Sequence, residues 1–223
     1  MKIVFFLCFA HLGIESFAQK SNNIHFDALI NHEKMILGKT YFLPNLKDSI
    51  RIDNLKFYVS NIKLKKNNKP ISNIDGYYLI DIQNKKNISF PSNDTTVFDT
   101  ISFDIGIDSA SHELGVMDGD LDPTKGMYWT WQSGYIFFKM EGCSKVVDNN
   151  KGSFAYHIGG FNYNYPTLQH ISISAASIKD LYINFNLDRF FEKWNCKDIP
   201  EIMSPGEKAV AFSKWFPFLF SIN

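Results

Sequence analysis

The sequence carries no net charge. Lysine plus arginine number 23 and aspartate plus glutamate number 23, so the overall balance draws the chain neither to nucleic acid nor to an anionic lipid surface. It also lacks an apolar run long enough to cross a bilayer: Ile3–Ala10 falls well short of the ~20 residues a spanning helix needs. Cysteine is scarce, with 3 in 223 residues, and neither a CxxC pair nor a Cys/His spacing is present, which leaves little for a structural zinc site. HExxH, G-x-S-x-G and P-loop motifs are all absent, and no sequence rule pairs two of the carboxylates as acid and base. There is no internal repeat and no low-complexity linker, and helix signals are few.

What is present begins with a leader. Lys2 precedes the apolar run, and Ser16-Phe17-Ala18 puts small residues at the −3 and −1 positions of a cleavage site. Residues 1–18 read as a secretory signal peptide and residues 19–223 as one domain, periplasmic or secreted. Cys8 lies in the leader. That leaves Cys143 and Cys196, which an oxidising compartment allows to bond without requiring it.

Aromatics make up 16% of the chain, a bias that favours strands. IHFDALI opens the mature part. NLKFYVSNIKL alternates Leu55, Phe57 and Val59, then shifts phase near Asn61 to Ile62 and Leu64, which suggests a bulge. NNKP and NIDG read as turns, and YYLIDI as a short strand between loops. VFDTISFDIGI offers Phe98, Ile101, Phe103 and Ile105 to a core. MYWTWQSGYIFFKME reads as extended with a bend at Gly134, and SFAYHIGG, LQHISIS and LYINFNL continue the pattern. DSASHELG and DRFFEKW suit short helical turns. SPGEKAVAFSKWF suits a helix with Ser204 as N-cap, Pro205 at its first position and Pro217 limiting its extension. Many short strands and one late helix predict a mainly β, β-sandwich-like single domain with a short C-terminal helix.

Within GMYWTWQSGY, residues 126–135, an extended chain would turn Trp129 and Trp131 to one side. Large aromatics mostly serve cores, and intact indole is an N–H donor with no lone pair to give a metal. In FAYHIGG, alternation sets His157 with Ala155 and Gly159, opposite Phe154, Tyr156 and Ile158; a histidine followed by glycines suits a site that needs close approach. His112 precedes the tryptophan pair in a segment able to fold over it. His25 and His170 fall on strands and His32 near a turn. DGDLDPTKG alternates Asp118, Asp120 and Asp122 like the start of a calcium loop, but Trp129 stands where an EF-hand places its bidentate glutamate. A carboxylate-rich turn is the simpler reading, with calcium as the alternative.

Taken in order, LKFYVSNIKL, YLIDI, ISFDIGID, GDLDPTKGMYWTWQSGYIFFKMEG, FAYHIGG and IMSPGEKAVAFSKWFPFLF resemble the MbnP-like family of bacterial periplasmic copper-binding proteins, relatives of MopE and CorA. The resemblance implies a mostly β domain that holds one copper ion through histidines and, unusually, a tryptophan oxidised to kynurenine by a partner dihaem peroxidase of the MbnH type. On that reading the ligand candidates are His157, His112, Trp129 or Trp131, and His25, since the family's opening strand often carries a histidine. Trp129 is preferred as the modified residue. A relative has a histidine two positions after it, where this chain has Trp131. The function implied is copper binding, storage or delivery without turnover, in copper homeostasis. The competing readings are a carbohydrate- or protein-binding β-sandwich with an aromatic stacking platform, and a purely structural exported domain.

Overall fold

The computed structural model describes residues 21–44, 46–91, 97–129, 133–162, 164–177 and 180–222. The expected leader, residues 1–18, and Trp131 lie outside them.

Strand β1 (Ser21–Ile30) buries Ile24, Phe26, Ala28 and Ile30 at alternate positions, as a half-covered strand must. Asn31 and His32, both at positive φ, reverse the chain into β2 (Glu33–Lys34). β3 (Thr40–Leu43) pairs with the beginning of β4 (Asp48–Lys66). Along β4, Leu55, Phe57 and Val59 are buried, and Ile62 and Leu64 rejoin their face because Asn61, at φ 50°, supplies the expected bulge. Asn67 and Asn68 turn the chain into β5 (Lys69–Asp81). NIDG, expected as a turn, lies inside β5. Asn73 and Ile74 keep their partners on β4, and Gly76 absorbs the kink at φ 115° beside the Tyr78 ring, so the ladder prevails over the turn propensities.

β6 (Ile88–Pro91) pairs with β1, and β7 (Phe98–Ile105) with β4; Phe98, Ile101, Phe103 and Ile105 are all buried. The single turn α1 (Ser109–Glu113) is capped by the Asp108 carboxylate, which accepts from the Ser111 N–H. Two 3-10 turns follow, Gly119–Leu121 and Pro123–Lys125. The extended reading of residues 127–141 holds from Phe138 onward. β8 (Phe138–Ser144) starts at Phe138. Before it Tyr128 bridges Tyr135 and the Trp129 N–H bonds the carbonyl of Gly134, a residue at φ 67°, at 3.0 Å. Trp129 therefore lies beside the isolated Tyr128–Tyr135 bridge, outside the named strands.

β9 (Ser153–Ile158), β10 (Gln169–Ser177) and β11 (Leu181–Asn186) match the remaining extended stretches. α2 (Leu187–Lys193), β12 (Glu201–Ile202), α3 (Glu207–Ser213), α4 (Phe216–Leu219) and β13 (Phe220–Ile222) complete the chain. The cap of α3 is Gly206, without a side-chain bond, rather than Ser204. Pro217 does not end a helix but sits in the first turn of α4, where its missing N–H satisfies nothing anyway.

The strands form two sheets. The smaller runs β13-β11-β1-β2, with β6 also on β1; the larger runs β10-β7-β4-β8-β9-β12, with β3 and β5 also on β4. Their inner faces meet through aromatic rings: Phe26 lies 6.0 Å from Phe57 and 5.5 Å from Phe103, and Phe185 lies 5.4 Å from Phe138. Phe190, Phe212 and Phe216 from the helices join the same core. Cys143 stands on the outer face of β8, while its neighbour Ser144 turns inward and donates to the buried Asp48, and Cys196 is buried in the core. Adjacent strand residues face opposite ways, and both thiols are free.

Candidate metal centre

Tyr58 and Leu79 leave the core and occupy the outer face of the larger sheet. The chain that follows β7 folds over them, and Ile107, Leu121, Met127, Tyr135, Ile136 and Phe137 build a second apolar cluster there. Asp120 fastens this cover. Its carbonyl accepts from the Tyr58 hydroxyl at 3.0 Å, and its carboxylate accepts from the Leu79 N–H at 3.0 Å and pairs with Lys86 at 2.7 Å and Lys125 at 2.8 Å. Burial pushes the Asp120 carboxyl up, yet these donors outweigh it and hold the group below the usual carboxylate range. Asp122 is engaged in capping Thr124. A carboxylate already matched by two ammonium groups is a poor start for a calcium site, so the calcium reading has no support.

His112 points from α1 into the second cluster. Its ring stacks on Phe161 with centroids 3.9 Å apart and meets Tyr135 and Phe137 edge-on at 5.6 and 5.9 Å. Its Nε2 lies where a side chain at Gly134 would begin, so only glycine fits there. The residue is 5% exposed, and among the described residues neither ring nitrogen has a hydrogen-bond partner. Burial pushes its pKa down to about 4. The ring is therefore neutral near pH 7, the state in which imidazole binds metals.

Trp129 packs against the same cluster, and its indole Nε1 is buried without a partner. Its six-membered ring rests on Gly159, where an added Cβ would meet Cζ3 at 2.9 Å. His157 stands on the outer face of β9, 6% exposed, with Nε2 2.7 Å from Oε1 of Glu141 on β8. Asn54 donates to the other Glu141 oxygen at 3.0 Å, and Lys139 lies 3.5 Å from Oε1. The His157 hydrogen bond, joined by Asn54 and Lys139, holds the Glu141 carboxyl down at about 2 against the opposing effect of burial.

One short segment ties these groups together. His157, Gly159 and Phe161 alternate along the chain: Glu141 holds the first, Trp129 covers the second, and the third stacks on His112. A family model described as MbnP matches residues 19–204.

The chain belongs to the MbnP family.

Among solved structures it is similar to MbnP from Methylosinus trichosporium, at 14% identity and a TM-score of 0.64 over 86% of this chain and 87% of that one, a likeness of fold. No curated protein matches it.

In this MbnP-family chain the structure thus gathers His112, Trp129 and the His157 segment around one loop. It leaves His25 elsewhere. His25 lies on β1 of the smaller sheet, stacked on Tyr182 at 4.5 Å and 3.6 Å from Asp180. Trp131 falls outside the described residues. Sequence reasoning missed two members. Glu141 is invisible until β8 and β9 are in register, and Phe161 reads as a loop aromatic unless the alternation through the glycines is carried two residues further. Among the described residues, no three His, Cys, Asp or Glu side chains converge as a metal cluster.

Proposed function

We propose that this protein is an exported copper-binding protein of the MbnP family that holds one copper ion, without turnover, through His112, His157 and a kynurenine derived from Trp129. One observation carries the reading: the His112 imidazole and the Trp129 indole meet beside the same two-glycine segment, and among the described residues all three of their buried ring nitrogens are unpartnered. Buried polar atoms in native proteins are normally satisfied, so orphaned ones mark a place for a missing group. Imidazole suits copper, and the aryl amine of kynurenine offers the lone pair that indole lacks. A bound copper ion would supply a Lewis-acidic, one-electron redox centre. The chain's own residues keep His112 neutral by burial, orient His157 through Glu141 and keep bulk water from the apolar cover.

Making the amine requires an oxidant. Cleavage of the indole C2–C3 bond adds two oxygen atoms as two peroxides are reduced to water, and hydrolysis then releases formate and frees the amine. A dihaem peroxidase of the MbnH type is the partner suited to this step, acting in the periplasm after the leader is removed. Trp129 offers the stacking-platform alternative little, because its ring lies against Gly159 and packs on the second cluster.

The test has two parts. In protein taken from its own cell envelope, the tryptic peptide Gly126–Lys139 should carry the kynurenine mass at Trp129. Copper titration should show one tight site that is lost in both His112→Ala and His157→Ala. Unmodified tryptophans together with unchanged copper binding in both variants would overturn the proposal.

A further inference from the structure

The contact between His157 and Glu141 bears on which nitrogen of His157 is free. In the register of β8 and β9, His157 lies opposite Lys139, and Glu141 lies opposite Ala155. Glu141 therefore reaches His157 from the side away from Gly159, where the Trp129 ring rests. An ionised carboxylate can only accept, so the nitrogen facing it must carry the proton. That nitrogen is Nε2, 2.7 Å from Oε1. In the neutral ring the lone pair then belongs to Nδ1. Glu141 is itself braced: Asn54 holds Oε2, and Lys139 flanks Oε1.

Resting on the copper reading above, we propose that Glu141 is a positioning residue that fixes His157 as the Nε2–H tautomer and reserves Nδ1 for the metal. Histidines that ligate metals commonly donate their second nitrogen to a carboxylate, and loss of that partner typically costs about 10–100-fold in metal affinity. The same contact fixes the ring before any metal arrives, so the copper-free protein already shows it.

The test uses nitrogen-15 NMR of the imidazole rings in the mature chain carrying the kynurenine at Trp129, without copper and then with Cu(I). Wild-type, copper-free protein should show His157 protonated at Nε2. On adding Cu(I), the Nδ1 signal should shift and the Nε2 proton should remain. Glu141→Gln keeps an oxygen acceptor in place, so it should hold the tautomer and bind Cu(I) within a few-fold of wild type. Glu141→Leu should give a mixture of tautomers and weaken Cu(I) binding by about 10–100-fold. A His157 ring protonated at Nδ1, or equal affinity in Glu141→Leu and wild type, overturns the positioning role. A wild-type chain showing the expected tautomer but no affinity for Cu(I) at all overturns the copper reading, and the role in metal binding falls with it.

Discussion

The His112 ring lies nearly parallel to that of Phe161, centroids 3.9 Å apart and planes 21° from coplanar. Phe161 is two residues past Gly159, on which Trp129 rests, so this stack joins the α1 turn to the segment leading from His157. Phe161→Ala should lower stability by about 1–3 kcal/mol, with the stack itself contributing about 0.5–1.5. It should also release the His112 ring and weaken copper binding. Urea denaturation and a competition titration read the two effects. Copper affinity equal to wild type would show that the stack does not set the position of His112.

Stability of the copper-free protein should depend on pH through His112. Burial lowers its pKa from 6.5 to about 4. Between those values the unfolded chain binds a proton there that the folded chain does not, so stability falls as pH falls through that window and is fully present above it. Thermal midpoints should hold steady from pH 8 to the ordinary imidazole range at roughly 6.5, then decline toward pH 4. His112→Leu should flatten that part of the curve. An equally steep decline in the variant would assign the effect to other groups.

Asp120 should matter for the cover rather than for calcium. It holds the Leu79 N–H and two lysines at once. Asp120→Ala removes charge-assisted hydrogen bonds of about 1.5–3 kcal/mol each at most, discounted here because both lysines are well exposed. Expected results are a lower thermal midpoint and faster hydrogen exchange across residues 115–129, with no rise in midpoint when millimolar calcium is added to wild type. A calcium-dependent rise would reopen the loop as a cation site.

Much of this was legible beforehand. Strand periodicity located the core positions of β4 and β7, and the bulge at Asn61, because a half-buried strand must show period two and any slip must be absorbed locally. Before β8 the extended reading gave way: the bend expected at Gly134 is there as a left-handed glycine, but Tyr128 bridges Tyr135 and the strand starts only at Phe138. His157 was readable from its alternation. Its partner Glu141 was not, since pairing between β8 and β9 is a property of register that no local pattern carries. The meeting of His112 with the glycine segment is likewise tertiary, closed across the α1 turn and the Trp129 loop.

Two glycines separate backbone strain from displacement of His112. Gly134 and Gly126 both adopt left-handed backbone, φ 67° and 74°, so alanine at either position should cost about 1–2 kcal/mol from conformation alone. Their surroundings differ. A Cβ at Gly126 meets nothing within 4 Å, whereas one at Gly134 would occupy the position of His112 Nε2. Gly126→Ala should therefore fold with a modest loss of stability and bind copper like wild type. Gly134→Ala should fold with a larger loss and bind copper weakly, because the imidazole must swing out of its seat against Phe161. Near-UV circular dichroism would confirm that tertiary packing persists in both, and copper titration would compare them. Matched copper affinities in the two variants would mean that the seat at Gly134 is not what places His112 at the metal.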